Sequence, residues 1–164
     1  MSGRITKSDQ QLRPDPRYHD KVLAKFINCV MHEGKKAVAQ RLVYSALDLI
    51  QVRLDEDKPE GLPNTAVEVF HQAIDNVKPA VEVRSRRVGG ANYQVPMSVS
   101  SRRRISLAFR WILQSARGEK GKPMAQRLAR ELYDAARREG KAISTRENTH
   151  RMAEANKAFA HFAW

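Results

Sequence analysis

Between Glu82 and Glu119 lie 36 residues with no Asp, no Glu and no Lys, but with eight arginines. A basic stretch without an acid cannot neutralise itself through internal salt bridges. Arginine's planar, permanently charged fork grips phosphate bidentately and stacks on bases, so the segment is suited to a polyanion. Cysteine is almost missing: Cys29 stands alone, which excludes an intrachain disulfide and predicts a reducing compartment. Long hydrophobic runs are missing too. The most apolar stretch, Ile105 to Leu113, is broken by Arg110, and nothing approaches the ~18 residues of a spanning helix. Residues 1–16 are polar and lack the apolar core of a signal peptide. A soluble cytoplasmic protein without membrane association is expected.

What is present is one domain's worth of chain. The 164 residues are 41% hydrophobic, enough for a core and too much for wholesale disorder. The net charge of +12 favours nucleic acid or another anionic surface as partner.

The periodicity predicts a mainly α fold: six helices with a β-hairpin between helices three and four. Residues 1–17, with Arg4, Lys7, Arg13 and Arg17 among polar residues and prolines, read as an extended basic tail. Residues 18–164 then form a single helical domain. Asp20 is placed to cap a first helix, where Val22, Leu23, Phe26, Ile27, Val30 and Met31 recur at helical spacing and Gly34 ends the pattern. Lys35 and Lys36 follow, and a second helix runs to about Arg53. Residues 54–64 hold four acids and two prolines and read as a solvated loop. Thr65 and Glu68 have capping-box spacing for a third helix, and Pro79 ends it.

The period then changes from helical to alternating. Val81 and Val83 alternate with Glu82 and Arg84; Gly89-Gly90 is a tight-turn signal; Tyr93, Val95 and Met97 alternate on the return. Residues 81–97 therefore read as a hairpin, which alone in water is marginal and must lean on the helices or on a partner. A fourth helix begins at Ser100 or Ser101 and carries Arg103, Arg110 and Arg117 seven apart, a stripe opposite its apolar side. Leu107 and Trp111 flank that stripe and are expected to pack against the hairpin. Pro123 opens a fifth helix as a first-turn proline and Gly140 closes it. Ser144 and Glu147 have capping-box spacing for a sixth, running to near Phe162.

Nothing in this pattern supports catalysis. The five histidines fall on different predicted elements, and none has a zinc spacing with Cys or carboxylates. Gly118–Pro123 echoes a phosphate loop but is too short, and Pro123 stands where Ser or Thr is required. Cys29 reads as a core residue of helix one. No metal, cofactor or catalytic residue is expected. A nucleic-acid enzyme would need acids beside its basic surface, and they are absent where the arginines gather. A DNA-binding regulator would need a dimer or a helix-turn-helix pair, and no tight turn aims a second helix that way. In the hairpin, Arg84 and Arg86 share one face and Arg87 takes the other. Asn92, Tyr93 and Gln94 on the return strand offer stacking and hydrogen-bonding groups, a ribbon suited to RNA.

The segment Val81-Glu-Val-Arg-Ser-Arg-Arg-Val-Gly-Gly-Ala-Asn-Tyr-Gln-Val-Pro96 closely resembles the hairpin signature of the bacterial small-subunit ribosomal protein seven family. The run His150-Arg-Met-Ala-Glu-Ala-Asn-Lys-Ala-Phe-Ala-His-Phe-Ala-Trp164 resembles that family's last helix. Leu12–Pro16, Leu23–Phe26, Gly34–Lys36 and Val43–Leu47 agree as well, so the resemblance spans nearly the whole chain; the acidic stretch 54–64 departs from it. The resemblance implies a six-helix bundle with a protruding β-hairpin, and a primary binder of small-subunit ribosomal RNA in the 3′ major domain, nucleating head assembly. It implies a place at the subunit interface near exit-site transfer RNA, messenger RNA and the decoding region, with small-subunit proteins nine and eleven as neighbours and no homo-oligomer. It carries ribosomal RNA contact to Lys35, Lys36, Arg84, Arg86, Arg87, Tyr93 and Gln94. The charge pattern adds Arg102, Arg103, Arg104 and Arg110, with Arg4, Lys7 and Arg13 in the tail. Arg87, Asn92, His150, Arg151 and Lys157 are expected near transfer or messenger RNA.

Overall fold

The computed structural model describes residues 12–57 and 61–162. Among them six α-helices surround one core: α1 (Lys21–Val30), α2 (Lys36–Asp57), α3 (Ala66–Val77), α4 (Ser101–Gly118), α5 (Met124–Ala136) and α6 (Lys141–Ala155). Strands β1 (Val81–Val88) and β2 (Ala91–Ser98) form a hairpin between α3 and α4, and a 3-10 turn covers Lys157–Phe162. The mainly α bundle with an inserted hairpin is as the periodicity predicts.

Three fully buried rings knit the core. Phe26 of α1 meets Phe70 of α3 and Phe109 of α4 edge-on, with centroids 5.3 and 5.2 Å apart. Each such pair contributes about 0.5–1.5 kcal/mol beyond its area burial. The predicted caps of α1 and α3 are in place: Leu23 N–H donates to Asp20 Oδ1 at 2.7 Å, and Glu68 N–H donates to Thr65 Oγ1 at 3.3 Å. Asp20 has a second role, since its other oxygen lies 2.6 Å from His71 Nε2 and ties α3 to the start of α1.

Four features differ from the sequence reading. The described part of the basic tail folds onto α2. Asp15 is buried and accepts from the Arg17 and Tyr18 N–H groups and from Tyr44 Oη, the last at 2.6 Å. Burial, together with that bond to a carboxylate, pushes the Tyr44 hydroxyl up to about 12. Arg17 pairs bidentately with Asp48, at 3.1 and 2.6 Å. Second, α2 continues through Asp57, burying Leu54, so residues 54–57, expected in the polar loop, are helical.

Third, α5 ends at Ala136 and Gly140 instead starts α6, with φ +91°. The expected capping box at Ser144 and Glu147 is unused, since Ser144 lies inside α6 and donates to the Gly140 carbonyl. The buried carboxylate of Glu131, on α5, reaches across to accept from Ala142 N–H at 2.8 Å, which supplies the acceptor that the start of α6 needs. Fourth, α6 stops at Ala155 rather than near Phe162, and the chain tightens into the 3-10 turn. Asn156, the C-cap, sends its side-chain amide back to the Met152 carbonyl at 2.8 Å, a local bond that competes with helix continuation.

Candidate nucleic-acid interface

The hairpin is built as its alternation predicts. Gly89 and Gly90 take φ +58° and +88°, which a two-residue turn between right-twisted strands requires. Register runs from Val81↔Ser98 to Val88↔Ala91, with Arg84 opposite Val95, Arg86 opposite Tyr93 and Arg87 opposite Asn92. Opposed residues share a face, and faces alternate along each strand. One face therefore carries Glu82, Arg84, Arg86, Tyr93 and Val95; the other carries Ser85, Arg87, Asn92 and Gln94.

The two faces have different roles. Val95 and Glu82 are buried on the first. Glu82 holds two arginines: Arg84 at 2.6 Å and Arg103, from the first turn of α4, at 3.2 Å. The last acid before the acid-free stretch is thus the joint between hairpin and helix. Tyr93 is not an open stacking platform, because Phe159 and Phe162 of the 3-10 turn lie against its ring at 5.1 and 5.4 Å. Arg86 locks the same junction by donating to the Phe162 carbonyl at 2.6 Å. The opposite face is open: Ser85, Arg87, Asn92 and Gln94 are all exposed.

The base of the hairpin rests on α6. His150 accepts the Ala80 N–H at 3.1 Å through Nε2, so this ring is neutral, with its proton on Nδ1. Burial, reinforced by the Arg146 charge, lowers the His150 pKa. Arg146 in turn donates to the Asn76 carbonyl at the end of α3. His150 is thus a structural strut, while Arg151 and Lys157 beside it are exposed.

Beyond the hairpin the predicted arginines divide again. Arg102 is exposed at the start of α4, and Arg104 donates to the Val99 carbonyl at 2.9 Å. Arg110 is exposed and lines a groove of about 530 Å³ between α1 and α4, together with Lys25 and Arg117. Arg117 donates to the carbonyl of Val30, the last residue of α1, at 3.3 Å. The groove therefore reaches the C-terminal end of α1. Lys35 and Lys36 are exposed, and Lys35 pairs with Glu33 at 2.7 Å. Arg13 is exposed; Arg4 and Lys7 lie outside the described residues. Leu107 is buried and Trp111 packs against the helical core. Cys29 opens onto the groove rather than joining the core, and burial raises its thiol above the ordinary value, the reverse of nucleophile activation.

Two contributors escaped sequence reasoning. Lys25 belongs to the groove, and its signal was the lack of any acid in α1, the same signal that marks α4. Glu82 as organiser was not legible, because its partner Arg103 is brought to it only by the fold. Among the described residues no cluster of three His, Cys, Asp or Glu side chains could hold a metal, and no helix is long and apolar enough to cross a membrane.

The chain is similar to known proteins over its whole length. The family described as Ribosomal protein S7p/S5e matches residues 2–157. The Small ribosomal subunit protein uS7 of Rhodopirellula baltica is 56% identical over 162 residues, covering 99% of both chains. The proteins of that name from Methylorubrum populi and Paramagnetospirillum magneticum are each 51% identical over 164 residues, the full length of both chains in each case. A chain matched from end to end at this identity belongs to the ribosomal protein S7p/S5e family, whose members are structural, non-enzymatic components of the ribosome.

Proposed function

We propose that this chain is a structural RNA binder of the small ribosomal subunit, acting in the cytoplasm. It binds small-subunit ribosomal RNA of the 3′ major domain as a primary binder and nucleates assembly of the head. The observation that carries this is the distribution of charge. The two helices without a single acid, α1 and α4, pack together, and the arginine-rich hairpin is tied to the first turn of α4 through Glu82 and Arg103. The mechanism is placement. The open ribbon of Ser85, Arg87, Asn92 and Gln94, the first turn of α4 with Arg102, and the Lys35–Lys36 turn meet phosphates where RNA helices converge. Arg84, Arg86, Arg103, Arg104 and Tyr93 contribute by setting the ribbon's position as well as by contact. Arg13, with Arg4 and Lys7 ahead of it, extends the basic surface. Arg87 and Asn92 near the hairpin tip, with Arg151 and Lys157, face exit-site transfer RNA and messenger RNA, and small-subunit proteins nine and eleven are the protein neighbours.

The test is a filter-binding titration against a 3′ major domain fragment of small-subunit RNA and against duplex DNA of equal charge. If ~6–10 phosphates are contacted, affinity for the RNA falls roughly 10³–10⁵-fold between ~50 and ~200 mM salt, and the preference for RNA survives. Equal binding to both polymers, collapsing together with salt, would leave only a polyanion trap.

A further inference from the structure

Asp15 is 2% exposed, the most buried carboxylate among the described residues, although it belongs to the segment that leads out of the core into the basic tail. Its side chain closes a local turn by accepting from the Arg17 and Tyr18 N–H groups, each at 3.1 Å. Backbone bonds complete the loop: Asp15 N–H donates to the Asp20 carbonyl at 3.1 Å, and His19 N–H donates to the Asp15 carbonyl at 2.8 Å. These bonds are all local, so they shape the loop without fixing it to the core. Two long-range tethers do that, one helical turn apart on α2. Tyr44 Oη donates to Asp15 Oδ1 at 2.6 Å, and Asp48 holds the Arg17 guanidinium. The Arg17–Asp48 pair is about half exposed, so solvent weakens it. The Tyr44 hydroxyl reaches a buried carboxylate, which makes it the firmer tether.

The pinned residue lies next to stiff chain. In Arg13-Pro14-Asp15-Pro16 each proline fixes its own φ and holds the residue before it extended. Arg13, which is exposed, is therefore joined to Asp15 by a stretch with little freedom left. A basic side chain on slack chain loses conformational freedom when it meets RNA. One rooted in a pinned, stiff segment has already lost it on folding, and binding is stronger for that. We propose that Tyr44 and Asp15 are positioning residues for RNA binding: their bond pins the root of the tail, so that Arg13 meets phosphate already ordered with the helical core. The inference rests on the proposed RNA-binding function. It adds that part of the affinity is set on α2, by a hydroxyl whose partner is a carboxylate of the same chain.

Tyr44→Phe is the suitable perturbation, because it removes the hydroxyl and keeps the ring that meets Tyr18 edge-on and lies under Arg17. It is made in the wild-type chain and in a full-length chain whose tail is neutralised by Arg4→Gln, Lys7→Gln and Arg13→Gln. Amide hydrogen exchange and binding to the 3′ major domain fragment are measured for all four proteins. In Tyr44→Phe the Arg17 and Tyr18 amides are expected to exchange about 10-fold faster or more, while α3 amides keep their protection. Affinity for the fragment is expected to fall about 3–10-fold in the wild-type background and less than ~2-fold in the neutralised one. An equal loss in both backgrounds would overturn the positioning role and leave the hydroxyl as support for the fold alone. Faster exchange with undiminished binding would show that order at the root of the tail is irrelevant to RNA, and unchanged exchange would show that Tyr44 is no tether; either result overturns the proposal. Failure of the wild-type chain to prefer the fragment over duplex DNA would remove the RNA-binding function itself, a result separate from these because the exchange measurement does not depend on it.

Discussion

Glu82 offers the sharpest test of how the hairpin is held, because charge counting and geometry predict opposite results. Replacing it with glutamine removes an acid from the edge of a basic surface and raises the net charge by one unit. If affinity for RNA followed charge alone, Glu82→Gln would bind more tightly. The structure predicts weaker binding. Glu82 is 9% exposed and receives Arg84 at 2.6 Å and Arg103 at 3.2 Å, joining β1 to the first turn of α4. Hydrogen bonds to a charged group contribute ~1.5–3 kcal/mol each. The Arg84 side chain is 56% exposed, so solvent screening reduces its share. A net loss of ~1.5–3 kcal/mol for the joint as a whole is the reasonable expectation. That loss falls on the hairpin and not on the core, so it belongs to local opening. Amide hydrogen exchange is the suitable assay. Protection of β1 and β2 amides in Glu82→Gln should fall about 10–100-fold, while α1 and α3 amides keep theirs. RNA affinity should drop alongside. Unchanged hairpin exchange, or tighter RNA binding, would refute the argument that Glu82 is a joint.

Two further outcomes follow from contacts at His150 and Gly140. His150 is held below its ordinary value, so the folded chain takes up a proton less readily than the unfolded one. Its contribution to stability is full above pH ~6.5 and is lost as pH falls through the lowered folded value. Melting temperature measured across this range should fall less steeply for His150→Gln, whose amide oxygen can still accept from Ala80; parallel profiles would contradict the neutral strut. Gly140 takes φ +91°, and an added Cβ would meet Asp134 Cβ and Glu131 Oε1, each at 3.3 Å. Gly140→Ala should cost about 1–3 kcal/mol in urea unfolding, and an unchanged midpoint would mean that the Glu131 cap and the turn adjust freely.

Much of the architecture was legible because it is local. Phe26, Phe70 and Phe109 fall on helical periods, Asp20 and Thr65 sit at cap positions, and Gly89-Gly90 marks the hairpin. What escaped is held by side chains that travel. Ser144 offered α6 a local cap, but the helix starts after Gly140, four residues earlier, and Glu131 from the neighbouring helix provides the acceptor. Asp15 looked like one more polar residue of a tail, yet Tyr44, distant in sequence, buries it. The period of residues 150–162 reads as continuous helix, because sequence spacing does not reveal that Asn156 caps the helix and that Phe159 and Phe162 turn aside to meet Tyr93. At the interface, arginine content marked the segment correctly as basic. It could not sort Arg87, which is open, from Arg84 and Arg86, which are clasped, because that sorting depends on Glu82 and on the Phe162 carbonyl.

The seating of Phe159 and Phe162 on Tyr93 gives the hairpin a dependence on time. A chain made from its N-terminus forms both strands long before the segment that covers them exists, and His150, which receives Ala80, is also still to come. Until then the hairpin has α4 and Glu82 to lean on but neither its aromatic cover nor its strut. Its final geometry is therefore among the last events of folding. A nascent chain that meets RNA early does so with Tyr93 uncovered and Arg86 lacking its bond to the Phe162 carbonyl, a surface that the finished protein no longer presents.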